Sequence, residues 1–445
     1  MMAGPARLSF GALLSVGALW ASPVAFGQAL PPVPQHADAA HLGVASCASS
    51  ACHGASSPAP GGVVLQNEYS TWQREDAHAG AYNLLLNEDS QRIAQKLGLE
   101  AAHTADICLD CHADNVPEAQ RGPRFQISDG VGCEACHGGA EDWLQLHTVN
   151  DNATSHARNV KAGLYPTDDP RARGELCLSC HLGDETKFVT HRIMGAGHPR
   201  LSFELDTFTA IEPAHFVVDD DYRERKDAPG GVRTWAVGQA KTLENTLELV
   251  TDSRYGRAGL FPELSFFDCH ACHKPMSAGT WRYRGSTGLG PGVVRFNDAS
   301  LIMTRVIASV IAPSLAEQLR SQGLALHRTT AGDAADFRSA AGQLRQTASR
   351  AVDAFATHEF TEPELRRVLD ALVAEGERGG YVDYVAAEQT TMAIGTIATA
   401  MRDAGLLDQA TFERYEQVMN EMYAAVEDDE RYRPSAHLGA LRKLQ

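Results

Sequence analysis

All ten cysteines of the 445-residue chain lie in five pairs, and a histidine follows the second cysteine of every pair. Four of these motifs have the spacing Cys-x-x-Cys-His: Cys108/Cys111-His112, Cys133/Cys136-His137, Cys177/Cys180-His181 and Cys269/Cys272-His273. The first motif, Cys47/Cys52-His53, has four residues between its cysteines. No cysteine is left over for a structural disulfide. A zinc protein would combine its Cys-x-x-Cys pairs with one another and would not need a histidine after each.

Cys-x-x-Cys-His is the spacing of covalent haem c attachment. Two thiols reach the two vinyl groups of one porphyrin, and the adjacent histidine ligates its iron. The small residues between Cys47 and Cys52 let that longer loop bulge away from the porphyrin edge. We therefore expect five covalent haem c groups. The proximal iron ligands are then the histidines that close the motifs: His53, His112, His137, His181 and His273.

Each iron also needs a sixth ligand, and the region of the motifs is rich in histidine and poor in methionine. Only Met194 and Met276 lie in or beside it, so low-potential bis-histidine haems are expected. The sequence context favours four distal histidines: His78, His147, His198 and His215. His103 and His191 compete for the fifth iron, and if neither binds, that iron has an open position.

The elements that carry these motifs must be short. Gly, Pro and Asp interrupt the helical stretches Tyr69–His78, Ser90–Leu99 and Thr234–Thr251, and strand signals are weak. The sites follow one another at roughly one per 45 residues, which leaves little chain for an ordinary core. The haems must therefore supply much of it.

After about Pro291 there are no cysteines, and amphipathic helix patterns follow one another. Thr361 and Glu364 form a capping box ahead of one such pattern. We therefore expect a mainly α fold with little regular sheet: a pentahaem cytochrome c domain over residues 28–290 and a haem-free helical bundle over 291–445. The three histidines after Pro291 are expected to be ordinary core or surface residues.

The first residues predict export. Arg7 precedes an apolar run, Leu8–Trp20, that is too short to cross a bilayer, and Ala25 and Gly27 fit a cleavage site. Residues 1–27 are therefore predicted to be a signal peptide, with an uncleaved anchor as the alternative. Haem attachment outside the cytoplasmic membrane agrees with a periplasmic location. No later segment reaches 18 uncharged apolar residues, so the mature chain is expected to be soluble, without a transmembrane segment.

The formal net charge of −17 argues against nucleic acid and anionic lipid as partners, because both require a basic surface. Other redox proteins with a basic or neutral docking face are the expected electron donor and acceptor. The helices after Pro291 are a candidate homodimer interface.

Several segments resemble the cytochrome c-554 type of multihaem c-type cytochromes, also described as the cytochrome c-552/4 domain. The resemblance covers about residues 40–285 and is carried by Tyr69–His78, by Gly132–Gly139 with Trp143 and His147, and by the fourth motif with Gly195–Glu204. It implies a helix-dominated fold, haems in parallel-stacked and near-perpendicular pairs, and periplasmic electron shuttling, sometimes with one five-coordinate haem. Five motifs where the name-giving member has four, and the added bundle, depart from that family.

Two functions remain open on the sequence. Closely spaced bis-histidine haems favour an electron carrier, because electrons can pass from haem to haem and no iron has an open coordination position. The alternative is a reductase of a small nitrogen or sulfur oxyanion at one open haem. The chain lacks the Cys-x-x-Cys-Lys motif of the best-known nitrite-reducing haem. Whether it is an enzyme therefore stays open, with the carrier favoured.

Overall fold

The computed structural model describes Met1 and residues 30–61, 64–149, 154–256, 262–273, 284–290, 293–330 and 332–445. Apart from Met1, the predicted signal peptide lies outside these ranges, and so does Met276. Helices dominate the described ranges, where no strand is formed and only three isolated β-bridges occur. The predicted mainly α fold is thereby confirmed.

The region of the motifs consists of short helices joined by turns, with one long helix near its end. They are α1 (Glu68–Glu75), α2 (Ala81–Leu84), α3 (Glu88–Leu97), α4 (Asp106–His112), α5 (Cys133–His137), α6 (Ser155–Lys161), α7 (Pro170–His181), α8 (His191–Ala196), α9 (Leu205–Ile211), α10 (Asp220–Arg225), α11 (Gly231–Thr251) and α12 (Cys269–Cys272). The three helical stretches expected from the sequence correspond to α1, α3 and α11.

The four Cys-x-x-Cys-His motifs all involve helices. Two of them close α4 and α7, the third forms α5, and the cysteines of the fifth bound α12. Residues three and four positions apart share one face of a helix, so the spacing places both thiols and the imidazole on the same side. The first motif, with its longer loop, lies in turns.

The segment before the first motif packs into the haem region. The carboxylate of Glu134, inside the third motif, accepts hydrogen bonds from the backbone N–H groups of Leu42 and Gly43, both at 2.7 Å. His41 is fully buried and pairs through Nδ1 with Asp114 at 2.7 Å. The Pro- and Ala-rich start is therefore held against the second and third motifs.

Seven helices follow residue 293 in the described ranges. They are α13 (Ala299–Ile311), α14 (Pro313–Thr329), α15 (Ala334–Ala356), α16 (Glu362–Glu377), α17 (Tyr384–Asp403), α18 (Gln409–Ala425) and α19 (Pro434–Leu441). The capping box predicted from Thr361 and Glu364 is present at the start of α16. None of the described helices is long and apolar enough to cross a membrane.

The bundle and α11 share one apolar core. Trp235, Leu247 and Val250 of α11 belong to the same buried cluster as Phe337 and Leu344 of α15. This core lies on both sides of residue 290, because α11 packs directly on α13 and α15. The domain boundary expected there stays a prediction.

Candidate haem centres

The ring of every proximal histidine faces the ring of one other histidine. The five pairs are His53–His147, His112–His198, His137–His215, His181–His78 and His273–His191, with ring centroids 6.1, 6.4, 6.2, 6.1 and 5.9 Å apart. Each pair joins residues that are far apart in sequence or lie on different elements.

These separations fit one iron between the two rings of each pair. A metal–imidazole nitrogen bond is about 2 Å long and a ring centre lies about 1 Å behind its nitrogen, so two axial imidazoles put their centres about 6 Å apart. The donor set, two imidazoles per motif, is that of a bis-histidine haem. The residues present therefore fit haem c at all five motifs.

The pairs include all four distal histidines favoured by the sequence, and the fifth partner is His191. His191 begins α8 and His198 follows its end, yet the two face different proximal histidines, His273 and His112. His103, the other candidate for the fifth iron, lies in a separate turn before α4 and is in none of the five pairs. The choice between them depends on where α8 packs, which no local pattern of residues reveals.

Several other histidines of the region have carboxylate partners instead. His156 pairs with Asp168 at 3.0 Å, and His41 with Asp114. In the bundle, His358 pairs with Glu364 at 3.2 Å and His437 lies 3.1 Å from the Thr391 hydroxyl. These contacts are those of ordinary structural histidines.

Hydrogen bonds at Nδ1 orient six of the ten paired rings. In four of them the acceptor is a backbone carbonyl oxygen: Ala81 for His112 (3.1 Å), Leu144 for His147 (2.6 Å), Pro199 for His198 (2.8 Å) and Pro213 for His215 (3.4 Å). A carbonyl only accepts, so Nδ1 carries the proton and Nε2 keeps its lone pair for a metal.

In the other two rings the acceptor is a carboxylate. Glu68 lies 2.9 Å from Nδ1 of His53, and Asp76 lies 2.9 Å from Nδ1 of His78. These hydrogen bonds raise the pKa of both histidines. A carboxylate partner makes an imidazole a stronger electron donor to a metal than a carbonyl partner does. Glu212 also lies close to His78, so two carboxylates, those of Asp76 and Glu212, surround this histidine.

Burial controls the charge of the proximal histidines in the centre of the region. It lowers the pKa of His137 to about 3 and that of His181 to about 4. Both rings are therefore neutral at ordinary pH, which is the form that ligates a metal.

Contacts between cysteines show which motifs are neighbours. The thiols of Cys47 and Cys133 lie within hydrogen-bonding reach of each other, which brings the first and third motifs together. The thiols of Cys111 and Cys180 do the same for the second and fourth motifs. Burial raises the pKa of Cys136, and the fourth motif lies close enough to raise it further.

A cavity of about 1050 Å³, including its solvent-open mouth, links the fourth and fifth motifs. Its lining includes His181, Phe203 and Cys269. Arg200 also lines it and forms an ion pair with Glu388 at 3.0 Å. An apolar wall with an arginine at its side suits a porphyrin, whose propionates pair with guanidinium groups.

Part of the chain matches the model of a known protein family. Residues 45–138, which hold the first three motifs, match the family model for cytochrome c554 and c-prime. The resemblance noted in the sequence is thereby confirmed, and the match supports a c-type cytochrome with covalently bound haem that acts in electron transfer. No curated protein and no solved structure matches the chain significantly.

Proposed function

We propose that this chain is a periplasmic electron carrier with five bis-histidine haem c groups, one at each motif. The observation that carries the proposal is the presence of five histidine pairs, each at the separation that one iron requires. When bound, each haem takes up and releases one electron. The polypeptide attaches the haems through cysteine, ligates them through histidine and sets their spacing.

The same pairing argues against the reductase. A haem that reduces an oxyanion needs an iron with an open position, and each of the five motifs has two histidines. His191 supports this, because its ring lies 5.9 Å from that of His273, whose sixth ligand the sequence left open. The observed pairs therefore favour transfer of electrons over catalysis at an iron.

The neighbouring motifs suggest a branched route for electrons. The first motif contacts the third, the third approaches the fourth, and the fourth contacts the second and shares a cavity with the fifth. Both histidines of the fifth pair are exposed. This surface position makes the fifth haem a suitable point of electron entry or exit, where an acidic chain would receive a partner with a basic or neutral face.

Two measurements on the holoprotein test the proposal. The intact mass should show five haems. A mass that corresponds to four haems would mean that one motif carries none. Low-temperature EPR of the oxidised protein should show low-spin ferric haem only. A high-spin haem in the wild-type protein would contradict full bis-histidine ligation.

A matched pair of variants tests the fifth ligand. His191→Ala should convert one haem of five to a high-spin form, because its iron loses the sixth ligand. His103→Ala should leave the spectrum unchanged, since His103 faces none of the proximal histidines. The reverse result would assign the fifth position to His103.

A further inference from the structure

Lys187 is a buried cation at the junction of the second and fourth motifs. The residue is only 3% exposed. Its Nζ lies 3.3 Å from Sγ of Cys180, in the fourth motif, and donates to the backbone carbonyl of Asp110, inside the second motif, at 2.9 Å. One ammonium group therefore contacts both attachment sites where Cys111 and Cys180 meet.

Once haem attachment has made Cys180 a thioether, the acceptors around this ammonium group are uncharged. Besides the Asp110 carbonyl and the Cys180 sulfur, Nζ donates to the side-chain oxygen of Gln35. A buried cation held by neutral acceptors keeps more of its field than one in a direct ion pair.

Two carboxylates close enough to interact with Lys187, those of Asp110 and Asp184, are bound to other groups. The side chain of Asp110 accepts from Asn115 at 2.7 Å, and that of Asp184 pairs with His36 at 3.2 Å. Gln35 also donates to the Asp110 carboxylate at 3.3 Å. The segment before the first motif thus contacts both carboxylates: Gln35 binds that of Asp110, and His36 binds that of Asp184. The side-chain oxygen of Gln35 also accepts from the ammonium group of Lys187.

We infer that Lys187 raises the reduction potentials of the haems at the second and fourth motifs. The inference rests on the proposed function, since it requires haem at both motifs. A ferric haem carries one more positive charge than a ferrous haem. A fixed cation beside it therefore disfavours the ferric form and favours uptake of an electron.

Removal of this charge should lower the ferrous-to-ferric ratio of both haems at a given electrode potential. The expected change is about tenfold for each, as for charges about 10 Å apart at an effective dielectric constant of about 20. Tenfold corresponds to about 59 mV for a one-electron couple.

Spectroelectrochemical titration of the five-haem protein tests this role. Lys187→Met removes the charge, and Lys187→Gln removes it while keeping a hydrogen-bond donor if the methionine variant folds poorly. Lys187→Arg keeps the charge. Lys443→Met is the matched control for net charge, because Lys443 follows α19, is exposed and pairs with Glu421 at 2.6 Å.

Two of the five redox transitions should move to lower potential in the methionine and glutamine variants, and none should move in the arginine variant or the control. Titrations that superimpose on the wild type would overturn the role of Lys187. An equal shift in the arginine variant would also overturn it, since packing and not charge would then be the cause. Intact mass of each variant separates these outcomes from a failure of the proposed function, which would appear as missing haem.

Discussion

At the scale of single residues, the groups that accept hydrogen bonds from the paired histidine rings differ in charge. His53 and His78 donate to carboxylates, whereas His112 and His198 donate to backbone carbonyls. A carboxylate increases electron donation to the iron and so stabilises the ferric form. The first and fourth haems should therefore have lower potentials than their ligand types alone would set.

Asp76→Asn tests this difference. Asparagine keeps an oxygen that accepts from Nδ1 of His78 but has no negative charge. The potential of the fourth haem should rise by about 59 mV, a tenfold change in the ferrous-to-ferric ratio. Redox titration measures the shift. Asp168→Asn is the control, because Asp168 holds His156, which is in no histidine pair; an equal shift there would show a general effect of charge.

Glu204 predicts a pH dependence of stability. Its carboxylate accepts from the backbone N–H groups of Asp206 and Thr207, at 2.9 and 2.8 Å, and burial raises its pKa from 4.5 to about 7. Between these values the folded state binds more protons than the unfolded state, so stability falls as pH rises through this window. The loss is at most about 3 kcal/mol.

Glu204→Gln should remove that loss, because glutamine resembles the protonated acid. The variant should melt at a higher temperature than the wild type at pH 8, with no such advantage at pH 5. Thermal unfolding followed at both pH values measures the difference. An advantage of the same size at both pH values would point to a packing effect instead of a titration.

The residues expected to attach haem stand out in the sequence because the thiols and the proximal histidine of each Cys-x-x-Cys-His motif lie within about one turn of helix. Distal histidines come from elsewhere in the chain: His78 and its partner His181 are more than a hundred positions apart. Context favoured four of them, and each of the four lies opposite a proximal histidine in the observed pairs. Their ligation of iron stays a prediction. The choice of His191 over His103 required the position of α8, and the importance of Lys187 required the meeting of two motifs.

At the scale of elements, the long helices were predictable and their packing was not. The apolar periodicity of α11 and α15 shows in the sequence, since a helix repeats every 3.6 residues. That α11 packs with the bundle depends on contacts across about a hundred residues of chain. The composition changes near residue 290, after the last cysteine, but the apolar core includes residues on both sides of that point.

Arg295 ties the fifth motif to the bundle. It pairs with Asp268, which caps α12, at 2.6 Å, and also with Asp383, which precedes α17. Arg284 forms a second bond to Asp383 at 2.5 Å. Burial raises the pKa of Asp383 to about 6 in spite of both arginines. This carboxylate is therefore sensitive to the loss of either cation.

Arg295→Met should destabilise the protein by about 3 kcal/mol, because the buried Asp268 loses its arginine and Asp383 keeps Arg284 alone. The thermal midpoint should fall by several degrees, and Arg295→Lys should lose less. Adding Asp383→Asn to the methionine variant should recover part of the loss. If the double variant were no more stable than Arg295→Met, Arg295 would not stabilise the protein by neutralising the charge of Asp383.

At the scale of the whole molecule, the polypeptide core is unevenly distributed. The large buried cluster contains Phe188 and residues from Val232 to Leu444. The clusters before it are small: one is centred on Leu85 and Leu109, and the other contains Val33 and Tyr165. Side chains alone thus give the region of the first four motifs little core, which agrees with the expectation that haems supply much of it.

This distribution predicts how the haem-free chain behaves. With no haem attached, the residues before α11 lack enough apolar contact to offset the entropy of ordering them, whereas α11 and the bundle keep their shared core. Limited proteolysis of haem-free protein should therefore leave a resistant fragment that begins between residues 226 and 231 and extends towards the C-terminus. The holoprotein should resist cleavage through both regions under the same conditions.

The start of the fragment distinguishes two divisions of the chain. A fragment that begins near residue 231 would place α11 with the bundle, because cleavage stops where the apolar core begins. A fragment that begins near residue 291 would place the boundary where the composition changes. Mass spectrometry of the resistant fragment reads its first residue directly. Full digestion of the haem-free chain would contradict both, since the bundle would then need the haem region in order to fold.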